Sequence, residues 1–101
     1  DYGYENIFSR QIQAIANPGD SLVVLSTSGK SPNIIKAMKA AKEIGLNVIA
    51  IFGNNNEEIE VKSDICIKIN SSYTSHIQEV QLFIGHLICE YIDQRVYDDQ
   101  I

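Results

Sequence analysis

The chain has 101 residues, 45% of them hydrophobic and 21% charged, the balance of one globular domain rather than of a disordered tail. Its 13 acidic and 8 basic residues leave a formal charge of −5, which argues against a general nucleic-acid binder. No apolar stretch approaches the roughly 20 residues of a membrane-spanning helix, and Asp1-Tyr2-Gly3-Tyr4 shows neither the basic nor the apolar region of a signal peptide.

Taken in chain order, Tyr4, Ile7, Phe8, Ile12, Ile15 and Ala16 recur at helical spacing, and Asn17-Pro18-Gly19-Asp20 ends that helix. Leu22-Val23-Val24-Leu25 is a short continuous apolar run, the pattern of a strand covered on both faces. Ser31-Pro32 reads as an N-cap followed by an N1 proline. Ile34, Ala37, Met38, Ala41 and Ile44 form one stripe of the helix that follows, and Gly45 suits its C′ position. Asn47 to Phe52 is a second buried strand, Gly53 to Asn56 a loop, and Glu57 to Lys62 a short helix. Asp64 to Ile69 is a third strand, and its alternation of Ile65, Ile67 and Ile69 with Cys66 and Lys68 places it nearer a sheet edge. A long helix runs from Ser75 to about Tyr97, with Ile77, Val80, Ile84, Leu87, Ile88, Tyr91 and Ile92 on one side. Leu82, Phe83 and Cys89 widen its apolar surface, so it is either deeply buried or packed on another subunit. Cys66 and Cys89 belong to no CxxC pair and lie in apolar segments, where reduced, buried thiols of a cytosolic protein are expected.

Strands alternating with helices predict an α/β fold, an open parallel sheet with helices on both faces in three α/β/α layers. Ligands of such folds bind beyond the carboxyl ends of the strands. Ser26-Thr27-Ser28-Gly29-Lys30-Ser31 stands at that position, between a strand and a helix. Its four hydroxyls can donate to phosphate oxygens, beside the positive end of the following helix. A nucleotide P-loop would need glycine five residues before Gly29, where this chain has Val24. A serine-rich helix cap without a ligand is the other reading, although a cap rarely needs so many hydroxyls.

Ser26-Thr27-Ser28-Gly29-x-Ser31 after an apolar strand resembles the phosphosugar loop of sugar isomerase (SIS) domains. Asp1-Tyr2-Gly3-Tyr4, Ile7-Phe8-Ser9-Arg10, Ser63-Asp64-Ile65 and Ile77-Gln78-Glu79 with His86 extend the resemblance to the phosphoheptose isomerase branch. That resemblance implies conversion of sedoheptulose 7-phosphate to D-glycero-D-manno-heptose 7-phosphate in the bacterial cytoplasm, for lipopolysaccharide and related glycans. It implies that Ser26, Thr27, Ser28 and Ser31 hold the sugar phosphate and that Asp1 touches the sugar hydroxyls. Gln78 and His86 would then stand at the reacting end, where they are also implied ligands of zinc, and no nucleotide cofactor is implied. The chain departs from the family pattern at His76, where arginine is usual and a surface residue is expected. It departs again at Gln81, where the family often has a second histidine, and in the Gly53 to Glu58 loop.

The chemistry suits those roles. Aldose–ketose isomerisation moves a proton between C1 and C2 through an enediol, and a histidine titrating near working pH can serve as acid or base. Gln78 can steady the enediolate. On a straight helix, however, Gln78 and His86 lie about 12 Å apart along the axis and about 80° apart around it. Either the helix start is distorted, or the two residues serve one site from different subunits. The expected assembly is therefore a homo-oligomer, by resemblance a tetramer, with shared active sites. Read without the resemblance, His86 between Gly85 and Leu87 would be a core histidine and Gln78 a solvent-facing first-turn residue. The competing functions are a non-catalytic phosphosugar-binding or replication-initiator-binding SIS protein and a sugar-phosphate sensor of a regulator. The resemblance also implies that the 101 residues are the carboxyl-terminal part of a longer SIS domain. The first helix, the first strand and a helix bearing a Glu and a His would be absent, leaving strand edge and apolar helix surface exposed and the catalytic site incomplete.

Overall fold

A computed structural model of the chain describes residues 3–28, 31–53 and 57–99. A 3-10 turn at Tyr4–Asn6 leads into α1 (Ile7–Ile15), followed by β1 (Ser21–Ser26), α2 (Pro32–Ile44), β2 (Asn47–Phe52), α3 (Glu57–Lys62), β3 (Ile65–Lys68) and α4 (Thr74–Asp99). The three strands are parallel in the order β1-β2-β3, with Ser26 opposite Phe52 and Ile51 opposite Ile67. Both the α/β class and the edge position of β3 follow the expectation from sequence.

The pleat of β2 divides the core. Val48, Ala50 and Phe52 face α1, α2 and α3, where they meet Ile12, Val24, Ala37, Met38, Ala41 and Ile59. Ile51 faces the other way, into a smaller cluster with Ile69, Ile77, Ile67, Ile84 and Ile88 under α4. Met38, Val48, Ile51, Phe52 and Ile59 are fully buried, each contributing roughly 1.5–3 kcal/mol relative to exposure.

The amino ends of the strands are tied by polar contacts. Gly19 N–H donates to the Gly45 carbonyl at 2.9 Å, and Asn47 N–H to the Asp20 carbonyl at 2.9 Å. Gly45 ends α2 with φ 97°, the left-handed geometry that glycine adopts without strain. Asp64, just ahead of β3, accepts from the Val48 N–H at 2.7 Å and from Lys42 Nζ at 2.6 Å. These two donors hold its carboxyl below the usual carboxylate range, the lysine contact being the larger cause.

Three expectations are corrected. The strand β1 is covered on one face only. Val23 and Leu25 are 41% and 48% exposed, because α4 packs on β2 and does not reach them. Cys66 and Cys89 are exposed thiols. Cys66 sits on an edge strand and Cys89 on the side of α4 turned from the sheet, so neither apolar segment buries its cysteine. The sheet-facing stripe of α4 is Ile77, Gln81, Ile84 and Ile88, while Val80, Leu87, Tyr91 and Ile92 are exposed. Hydrophobic residues lie nearly all round this helix, so composition alone could not select the stripe. His76 is on the surface, as expected, against the Tyr73 ring at a centroid distance of 5.0 Å. No helix among the described residues is long and apolar enough to cross a membrane.

Candidate functional site

The carboxyl ends of the strands gather the residues with chemistry. Ser26 closes β1 and is buried, Thr27 and Ser28 are half-buried, and Ser31 stands immediately before α2. Gly29 and Lys30 lie outside the described residues, as does Asp1. Pro32 takes the first helical position. Ser31 lends α2 its carbonyl, which accepts from the Ile34 and Ile35 N–H groups at 3.1 Å each. Among the described residues its side chain makes no capping bond to the helix. The loop leads directly into the positive end of a 13-residue helix. An open hollow of about 400 Å³ adjoins this end of α2, lined by Tyr4, Glu5, Ser31, Pro32 and Asn33. That volume accommodates a small phosphorylated sugar. A more apolar groove of about 280 Å³ runs along β1 between Phe8, Ile12, Ile15, Val23, Leu25 and Ile34. Its lining offers little to a phosphate.

The helix α4 starts at the same end of the sheet and brings Gln78 there. Gln78 is exposed, and His86 is also exposed, so it is not a core histidine. The helix is continuous from Thr74 to Asp99, so Gln78 stands inside it rather than at a distorted start. Ideal geometry then keeps the two residues about 12 Å apart along the axis. His86 also lies roughly 170° around the helix from the sheet-facing stripe, turned away from the sheet of its own chain. Within one copy the two side chains therefore do not converge on one metal ion. Among the described residues there is no cluster of three or more His, Cys, Asp or Glu side chains suited to a metal.

One residue of this region is placed by tertiary structure in a way the sequence did not announce. Gln81 is buried, and its Nε2 donates to the Ile51 carbonyl at 2.9 Å. Its spacing of four from Ile77 was the available signal, but a glutamine in an otherwise apolar stretch reads as a surface residue.

Comparison with known proteins bears on this arrangement. A family model described as the SIS domain matches residues 1–53. The chain belongs to the SIS-domain family. It is similar to a phosphoheptose isomerase of Akkermansia muciniphila, with 43% identity over 97 residues, covering 96% of this chain and 51% of that protein. It is also similar to one of Rhodospirillum rubrum, with 44% identity over 93 residues, covering 92% of this chain and 50% of that protein. Among solved structures, the phosphoheptose isomerase of Neisseria gonorrhoeae superposes with a TM-score of 0.86 at 38% identity, covering 93% of this chain and 53% of that one. That of Francisella tularensis gives 0.85 at 35% identity, covering 92% and 52%. The SIS chain thus spans about half the length of the curated relatives it matches, and in that half the three-stranded parallel sheet and its helices coincide with the solved folds.

Proposed function

We propose that this SIS chain carries the phosphosugar-binding part of an isomerase that interconverts sedoheptulose 7-phosphate and D-glycero-D-manno-heptose 7-phosphate. The observation that carries the reading is its similarity, at over 40% identity across nearly the whole chain, to proteins named phosphoheptose isomerase. The position of the serine loop beyond β1, beside α2, supports it. In this reading Ser26, Thr27, Ser28 and Ser31 donate to the phosphate, and Asp1 binds sugar hydroxyls. A base removes a proton from C1 of the ketose while the C2 oxygen is protonated, giving an enediol. The O1 proton then leaves as a proton is delivered to C2, so nothing is gained or lost overall. Gln78 donates to the oxygen that develops charge, and His86 transfers protons.

Because His86 points away from its own sheet, we assign it to the site of a neighbouring copy, in a homo-oligomer whose contacts cover the apolar surface of α4. Zinc, which the family resemblance implies, would need Gln78 of one copy and His86 of another as ligands. No step of the proposed chemistry depends on it. The product would supply heptose for bacterial surface glycans such as lipopolysaccharide.

The test is to incubate the intact protein carrying this sequence with sedoheptulose 7-phosphate in D2O and follow the aldose by NMR. Aldose carrying deuterium at C2 is expected. Tight sugar-phosphate binding without turnover would overturn the enzyme reading in favour of a non-catalytic SIS binding protein.

A further inference from the structure

The helix α4 bears the residue proposed to face the reacting carbons, and of its sheet-facing stripe Ile84 and Ile88 are only partly buried. Ile77 and Gln81 are its buried residues. They are four apart, one helical turn, and so lie on the same face. Each meets the carboxyl end of β2. The Ile77 side chain lies so close over Gly53 that a Cβ there would overlap its Cδ1. Gln81 donates to the carbonyl of Ile51, two residues earlier. Since the partner is a carbonyl oxygen, the amide nitrogen of Gln81 must be the atom that faces it. Between Ile51 and Gly53 stands Phe52, the residue paired with Ser26, where the serine loop begins. Two close contacts one turn apart hold both the height and the rotation of the turn of α4 that carries Gln78, while Ile84 and Ile88 pack further along the helix. The apolar contact with Gly53 is non-directional, and the hydrogen bond supplies the direction.

We infer that Gln81 is a positioning residue: with Ile77 it latches α4 to the carboxyl end of β2 and so sets where Gln78 stands relative to the serine loop. This rests on the isomerase reading for its consequence, not for its geometry. Gln81 touches no substrate. It acts through the strand residue that pairs with Ser26 and through the helix turn that carries Gln78.

The experiment compares Gln81→Leu, which keeps bulk and removes the donor, with Gln81→His, whose neutral ring keeps one N–H. In the intact protein, Gln81→Leu is expected to lower kcat on the order of 10- to 100-fold through misplacement of Gln78, with KM nearly unchanged because the serine loop is intact. Gln81→His is expected to restore most of kcat. Amide hydrogen exchange is read in parallel, and in Gln81→Leu residues 77–86 are expected to exchange at least ~10-fold faster while β1 and β2 keep their protection. An active wild type with an equally active Gln81→Leu overturns the positioning role and leaves the isomerase reading standing. A wild type inert toward sedoheptulose 7-phosphate defeats the isomerase reading, and the exchange data alone then decide the latch, equal protection in wild type and Gln81→Leu overturning it. Should Gln81→Leu not fold, a folded Gln81→His that loses kcat or the protection of residues 77–86 overturns the inference, and one that retains both supports it.

Discussion

His86 is exposed on a continuous helix and directed away from its own sheet, so its removal should touch chemistry and not folding. His86→Ala is expected to lower kcat by about 100-fold or more while leaving the unfolding temperature within a degree or two, as removal of a general acid or base does. Ser28→Ala should instead raise KM for the phosphosugar with a smaller change in kcat, which steady-state kinetics separates. Asp64 is a residue of the opposite kind, structural and remote from the loop. Its carboxylate is held by Lys42 and the Val48 N–H, and its folded-state pKa is lowered. The sign follows from linkage. The stabilisation is complete above the ordinary aspartate value of about 3.9 and is lost as pH falls from there through the lowered value of the folded state. Thermal unfolding across that window should therefore show wild type losing more Tm on acidification than Asp64→Asn, the two converging at its acid end.

At the scale of elements, α2 and α4 are opposite cases. The helix α2 has its stop signal in the sequence, and Gly45 fulfils it with φ 97°. Gly45→Ala would place a Cβ in the left-handed region at a cost of about 1–2 kcal/mol, seen in a domain of this size as a fall in Tm of several degrees. The helix α4 has apolar residues around most of its circumference, and the fold chooses its inner face by what fits the end of β2. Gly53 is part of that fit. Gly53→Ala is expected to cost about 1–3 kcal/mol by overpacking against Ile77. Ile77→Val should recover part of it, and a double-mutant cycle in denaturant would show the coupling. Additive effects would mean that the two residues do not share the contact.

For the whole molecule, the exposed apolar residues are too many and too large for a solvated surface. On α4 alone Leu82, Phe83, Tyr91, Ile92 and Tyr97 are each more than half exposed. Burying such a surface against another copy is favourable at roughly 25 cal/mol per Å². It would also carry His86 toward a second serine loop. Light scattering on the intact protein is expected to give an oligomer. Mixing Gln78→Ala with His86→Ala, each inactive alone, should restore activity in roughly a quarter of the sites, since random pairing in a two-fold dimer leaves one intact site in half the dimers. No recovery on mixing, with both variants folded and oligomeric, would mean that the two residues serve one site from a single copy.

The sequence by itself determined the order of elements and nearly all their boundaries, because strand and helix periodicities, Pro32 and Gly45 are local signals that need no partner to be read. The same local record located the serine loop between β1 and α2, together with Gln78 and His86 on one helix. Tertiary structure decided what depends on which surface covers which. Val23 and Leu25 belong to an apolar run that reads as doubly buried, yet they are open because α4 lies over β2. Cys66 and Cys89 are exposed for the same kind of reason. Gln81, a polar residue in an apolar helix, became a buried donor because its turn of α4 meets the end of β2 at the Ile51 carbonyl. Burial is a property of neighbours brought from elsewhere in the chain, and periodicity records only which faces a segment has, not which of them finds a partner.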